Sequence, residues 1–259
     1  MKFYIMGATD TGVSRPTNQD SMFAKRFMTR WGECAFAVLC DGMGGLQHGE
    51  VASASLAAAF AEWAGRRLPA AEAPLSDHAL RTEWTEIIRT ENQKLQAYGM
   101  EHRCHLGSTV TALLVSARRY CILNIGDSRA YELCQTCRQL TVDHTVAEDE
   151  VQLGNLTPEQ AQLLPMKSVL TRCVGVYDRV YPDLFFGDTR PGAVYMLCSD
   201  GFRHHVTQEE LLEYLMPRSG DPAADLRKGE AALIDLDKRR GERDNISVLA
   251  IYAGPQGPE

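Results

Sequence analysis

Five aspartates stand where apolar runs stop or start. The run 35–40 ends in Asp41-Gly42, the run 194–198 ends in Ser199-Asp200-Gly201, and the run 122–125 ends in Gly126-Asp127. Asp244-Asn245 immediately precedes the run 246–251, and Asp20 lies in the first predicted hairpin. A single Asp-Gly pair is an ordinary turn, because both residue types favour turns and strands end in turns. The set is different. Ordinary hairpins do not place an acid on the terminus of nearly every buried strand, where each would be desolvated beside other carboxylates. Such a cluster calls for a cation. Carboxylates and glycine carbonyls, with no repeated His or Cys, favour Mg²⁺ or Mn²⁺ over Zn²⁺. Gly42 would let its own carbonyl approach a metal without side-chain obstruction. Two ions sharing a carboxylate lower the pKa of a water between them and stabilise in-line displacement at phosphorus, which is hydrolytic phosphoryl chemistry. Arg15, five residues before Asp20, offers a planar fork that matches two phosphate oxygens. An isolated arginine in an early loop is otherwise a solvated surface residue, so its role depends on the metal site.

Holding these carboxylates at one place is work for strands. Short β-branched and apolar runs recur at 3–6, 21–27, 34–40, 109–115, 121–125, 130–133, 180–186, 193–198 and 246–252, separated by turn signals. That pattern predicts antiparallel sheets. Helical patterns fill 50–67, 77–97, 208–215 and about 223–238. Helices of such length between strands must cover sheet faces, so the expected architecture is a β-sandwich flanked by helices. The segment 146–167 differs, with mixed charge, Gly154, Pro165 and the helix-start signal Thr157-Pro158-Glu159-Gln160. It reads as a small surface subdomain or flap. The tail 254–259 is Gly/Pro-rich and predicted to be flexible.

Composition narrows the partners. With 259 residues and no long polar or Pro/Gly-rich interior stretch, residues 1–253 read as a single domain. The 27 basic and 34 acidic residues, without a Lys/Arg run, argue against nucleic acid. The most apolar helical stretch, 51–64, is broken by Ser53, Ser55, Glu62 and Trp63, so no membrane span is expected. Residues 1–10 lack a signal-peptide pattern, and a soluble, cytoplasmic protein is expected. Most of the eight cysteines lie in apolar runs, as buried reduced thiols do. Cys134 and Cys137 form a lone CxxC; no further ligands for zinc stand nearby, so reduced thiols in a hairpin loop are expected. No coiled-coil pattern or apolar stripe requires a dimer, and a monomer is expected.

The order of the segments resembles the metal-dependent protein serine/threonine phosphatases of the 2C type, in their bacterial branch. The resemblance runs from Ala8 to Ala253. It rests on Thr9-Asp10-Thr11-Gly12, Arg15-Pro16-Thr17-Asn18-Gln19-Asp20, Asp41-Gly42-Met43-Gly44-Gly45, Gly107-Ser108-Thr109 and Gly126-Asp127-Ser128-Arg129-Ala130-Tyr131. Leu140-Thr141-Val142-Asp143-His144-Thr145, Leu170-Thr171-Arg172 with Gly175, Ser199-Asp200-Gly201 and Asp244-Asn245-Ile246-Ser247-Val248 complete it. Each segment alone is weak; their shared order is specific.

The resemblance implies an α+β fold, a four-layer αββα sandwich with metals in a channel at one edge. It implies that Asp41 bridges two Mn²⁺ or Mg²⁺ ions, that Asp200 and Asp244 complete the first site, and that Asp20 with the Gly42 carbonyl serves the second. Asp127 would help hold the weaker third ion of many members, Arg15 would clamp the phosphate, and 146–167 would be the variable flap. The implied substrates are phosphoserine and phosphothreonine proteins, and the implied counter-enzyme is a Ser/Thr kinase. Two departures stand out. Some members carry Glu where this chain has Gln19, and His, a proposed general acid, where it has Met43. His48 is the nearest histidine in sequence. Two other readings keep the same residues: metal-dependent hydrolysis of a small phosphoester, and a non-catalytic binder of phosphoproteins, which would require a missing ligand.

Overall fold

The computed structural model describes residues 1–43 and 48–255. Gly44 and Gly45 of the glycine-rich motif, and 256–259 of the expected tail, lie outside the described residues. The chain forms two five-stranded antiparallel sheets. In the first, β1 (Lys2–Asp10), β10 (Ile246–Gly254), β9 (Val194–Cys198), β6 (Arg129–Leu133) and β7 (Cys137–Gln139) follow in that order. In the second the order is β2 (Asp20–Thr29), β3 (Gly32–Asp41), β4 (Val110–Ser116), β5 (Arg119–Ile125) and β8 (Asp183–Asp188).

Alternation along the strands builds four layers from this. On β3, Ala35, Ala37 and Leu39 face the opposite sheet, where they meet Tyr195, Leu197, Leu249 and Ile251. Phe36, Val38 and Cys40 point the other way, toward Phe60, Trp63 and Trp84 of α1 (Gly49–Ala70) and α2 (Asp77–His102). On β9 and β10 the outward set, Met196, Cys198, Val248 and Ala250, is covered by Leu211, Leu215, Leu226 and Leu233 of α6 (Gln208–Leu215) and α7 (Pro222–Arg239). A strand covered on both faces needs no polar side, which is why β3 and β9 read as unbroken apolar runs. The expected α+β, four-layer αββα sandwich is the observed fold.

Side chains fix the helix starts. Thr207 and Glu210 form a capping box at α6, Ser76 caps α2, and Asp221 caps α7 ahead of Pro222. In 146–167 the chain makes α3 (Val146–Gln152) and α4 (Pro158–Ala161), the latter opened by a Thr157–Gln160 capping box. Three local readings differ from the structure. The strand expected at 180–186 begins only at Asp183, after Pro182, which has no N–H to donate to a ladder. Strand β7 and the one-turn helix α5 (Asp200–Arg203) are too short to leave a period in the sequence. Gly254 belongs to the sheet, opposite Lys2, and not to the tail. Cys134 and Cys137 flank the β6–β7 turn, and all eight cysteines are unpaired. Among the described residues no helix is long and apolar enough to cross a membrane.

Candidate active site

Register carries all five aspartates to one edge of the sandwich. Asp20, the first residue of β2, pairs with Asp41, the last of β3. Antiparallel pairing of β3, β4 and β5 then brings the end of β5, and with it Asp127, to the same edge. In the other sheet Cys198 pairs with both Val248 and Arg129, so Asp200 after β9, Asp244 before β10 and Asp127 before β6 emerge together.

The backbone at this edge is held by groups that the sequence motifs contain but that have no assigned role. Asp41 N–H donates to Thr109 Oγ1 at 3.0 Å, and its carbonyl accepts from Thr109 N–H at 2.9 Å and from Ser108 Oγ at 2.9 Å. Asn245 Oδ1 accepts from Gln19 N–H at 2.9 Å, while its Nδ2 donates to the carbonyls of Thr11 and Thr17 at 2.9 and 3.1 Å. Asn245 thus ties the loop bearing Arg15 and Asp20 to the strand start bearing Asp244. His144 Nδ1 accepts from Gly126 N–H at 3.1 Å, which leaves Nε2–H to donate to Asp183 at 3.0 Å. This bond fixes the turn that carries Asp127. The signal for such residues is a polar side chain beside a buried strand end, visible in sequence only as part of a motif.

The glycines have a steric role. A Cβ on Gly42 would run into the carbonyls of Gly49 and Gln19, and one on Gly201 into the Asn245 carbonyl. Backbones therefore pack directly on one another around Asp41 and Asp200.

Electrostatics at this edge are unfavourable without a counter-ion. Two like charges about 4 Å apart repel by about 4 kcal/mol at an intermediate dielectric. Burial, followed by the charges of Asp20, Asp200, Asp127 and Asp244, pushes the Asp41 carboxyl well above the usual carboxylate range. Burial likewise raises Asp20 to about 7, a hydrogen bond from Ser247 Oγ at 2.5 Å opposing the rise. Asp127 is raised to about 7 by burial and then by Asp200, with Arg203 opposing.

Several partners are already engaged. Arg15 donates to both oxygens of Asp244, at 2.9 and 2.7 Å. His204 holds Glu242 at 3.0 Å through Nδ1 and lies 3.7 Å from Asp200 through Nε2. His48 is exposed at the head of α1, edge-on to Tyr98 and 3.6 Å from Glu50. Among the described residues no three His, Cys, Asp or Glu side chains form a closed ligand set for one ion. The donor set nonetheless suits a hard divalent cation. It consists of oxygen, it is self-repelling, and Asp20 Oδ1 is enclosed with no hydrogen-bond partner. Beside Asp127 opens a cleft of about 410 Å³, lined by Arg129, Asp143, Arg203 and His204 on one side and by α3, α4 and Lys167 on the other.

Known proteins are similar to this chain in sequence and in fold. The family model for protein phosphatase 2C matches residues 13–226. The serine/threonine protein phosphatase PstP of Mycobacterium tuberculosis is 32% identical over 242 residues, covering 93% of this chain and 43% of that protein. The chain therefore spans less than half the length of this relative. The protein phosphatase PhpP of Streptococcus pneumoniae is 27% identical over 254 residues, covering 97% of this chain and 98% of that one. A solved structure of the catalytic domain of serine/threonine protein phosphatase PstP in complex with two manganese ions superposes with a TM-score of 0.77 at 31% identity, over 98% of this chain and 99% of that one. With the family model spanning most of the chain and the sandwich shared throughout, this chain belongs to the protein phosphatase 2C family.

Proposed function

We propose that the protein is a metal-dependent serine/threonine protein phosphatase, which hydrolyses phosphoserine and phosphothreonine in proteins with water activated between two Mn²⁺ or Mg²⁺ ions. The observation that carries this reading is the Asp20–Asp41 pair at the end of the β2–β3 hairpin. There burial and the charges of Asp20, Asp200, Asp127 and Asp244 all push the Asp41 carboxyl toward its protonated form, a strain that a shared cation would relieve.

Asp41 would bridge the ions, Asp200 and Asp244 would complete one site, and Asp20 with the Gly42 carbonyl would serve the other. When bound, the ions acidify the attacking water and draw charge from the phosphoryl oxygens. The chain itself positions and shields. Arg15 brings a permanent planar cation to the mouth of the site, matched to two phosphate oxygens. Asn245 holds that loop against Asp244. Asp20 is oriented by Ser247, and Asp41 is held at its backbone by Thr109 and Ser108.

Residues 1–253 act as one phosphatase domain, with 146–167 as a flap over the cleft beside Asp127. A Ser/Thr kinase is the class of enzyme that would supply the substrate. The names of PstP and PhpP, both protein phosphatases, support this reading. The test is metal-dependent phosphate release from a phosphothreonine peptide compared with nucleotides. Efficient release from the peptide is expected, and a strong preference for nucleotides would overturn the assignment.

A further inference from the structure

The cation beside Asp127 belongs to the chain. Arg203 closes α5, the helical turn that Asp200 opens, so the two side chains leave the same turn of backbone. Its Nη2 donates to the Asp127 carbonyl at 3.1 Å and lies 3.5 Å from both Asp127 Oδ2 and Asp143 Oδ2. Asp143 is also gripped by Arg129, at 2.9, 3.1 and 2.7 Å. Two carboxylates and two guanidiniums therefore alternate along one wall of the cleft. Arg203 is embedded there, its side chain 15% exposed. Its Nε is enclosed and unpartnered, so the guanidinium is oriented through Nη2 toward the two acids.

Such an arrangement does not suit a further ion at Asp127. A divalent cation would sit about 2.0–2.6 Å from a carboxylate oxygen. At Oδ2 that position falls between the Asp127 carboxylate and the Arg203 guanidinium, a group of the same charge sign as the ion. We propose that Arg203 takes the place of a third divalent cation at Asp127, so that the chain balances this carboxylate with its own side chain and leaves the metal requirement at two ions. The inference rests on the two-ion reading for its count and on the Arg203–Asp127–Asp143 geometry for its substance.

The test is Mn²⁺ uptake by the intact chain, followed by isothermal titration calorimetry and by electron paramagnetic resonance of free Mn²⁺. Arg203→Ala is expected to bind one ion per chain more than the unaltered protein, and Arg203→Ala/Asp127→Ala to lose it again. Arg203→Lys, which keeps the charge, and Asp127→Ala alone are expected to leave the count unchanged. Loss of one ion on Asp127→Ala alone would overturn the proposal, as would a folded Arg203→Ala that gains none. Asp41→Asn separates the two readings: its effect on uptake reports on the ion pair, whereas the difference between Arg203→Ala and the unaltered chain reports on Arg203.

Discussion

Arg15 grips Asp244 with both arms of its guanidinium, Nε to Oδ1 at 2.9 Å and Nη2 to Oδ2 at 2.7 Å, across 229 residues of sequence. The fork proposed for the phosphate and the carboxylate proposed for a metal occupy one another. An ion that took Asp244 would free the fork for substrate, and metal and phosphate binding would then be coupled through this one pair.

The Arg15 pair gives a kinetic prediction. Arg15→Ala removes charge-assisted hydrogen bonds of about 1.5–3 kcal/mol from substrate binding, so KM for a phosphothreonine peptide should rise roughly tenfold to a hundredfold. Half-saturation by Mn²⁺ should not worsen, because a competitor for Asp244 has gone. Steady-state kinetics at varied peptide and Mn²⁺ read both, and an unchanged KM leaves Arg15 as a counter-ion only.

Asp41→Asn should have opposite effects on turnover and stability. Losing the shared ligand should lower metal-dependent turnover by on the order of a hundredfold or more, since disturbing even the partners of metal ligands costs about 10–100-fold. The metal-free protein should melt at a higher temperature, because the buried carboxyl that its neighbours repel becomes a neutral amide. The rise in Tm that Mn²⁺ gives the unaltered protein should shrink at the same time. Thermal melts with and without Mn²⁺ check this; a full Mn²⁺ shift in the variant would refute the role of Asp41.

Away from the site, Glu230 on α7 is buried with Oε1 unpartnered, and burial raises it to about 8, opposed by the Ala250 backbone and then by Arg227. The folded state therefore holds this proton more tightly than the unfolded chain does. Its contribution is complete below the unfolded pKa near 4.5 and is lost as pH rises toward 8, with a slope of at most about 1.4 kcal/mol per pH unit. Glu230→Gln should flatten urea-unfolding free energies across this window, and an unaltered slope would show that the proton is not held there.

Gly42→Ala tests the backbone packing. The added methyl must displace the carbonyls of Gly49 or Gln19, neither of which is a flexible side-chain end. A loss of roughly 1–3 kcal/mol is expected, typical of overpacked core positions. Urea midpoints measure it, and a neutral substitution would mean that α1 can move aside.

Thiol reactivity should divide the cysteines. Cys134 and Cys137 are partly exposed beside the β6–β7 turn, whereas the other six are buried. Burial raises Cys34, Cys173 and Cys198 to about 12. A thiol-specific chromophore should therefore label Cys134 and Cys137 in the folded protein and the rest only on unfolding. Rapid labelling of further cysteines would contradict this burial.

The sequence determined which of the longer segments become strands and helices, and which of those strands end in an acid. Both are local properties: alternation and helical period are written within a few residues, and an aspartate after an apolar run is visible without knowing the partner strand. Motif order also carried the sandwich, since β3 and β9 read as runs covered on both faces. What meets what was decided by tertiary structure alone. Asp20 faces Asp41 because of one hairpin register, but Asp127 joins Asp200 and Asp244 only because β6 and β10 both pair with β9. The grip of Arg15 on Asp244, the hold of Asn245 on the Arg15 loop and the presence of Arg203 at Asp127 span tens to hundreds of residues. No local pattern encodes such contacts, because each depends on where separate strand ends come together in space. In sequence Arg203 is a charge after a glycine turn; in the fold it is the cation beside the carboxylate expected to need one.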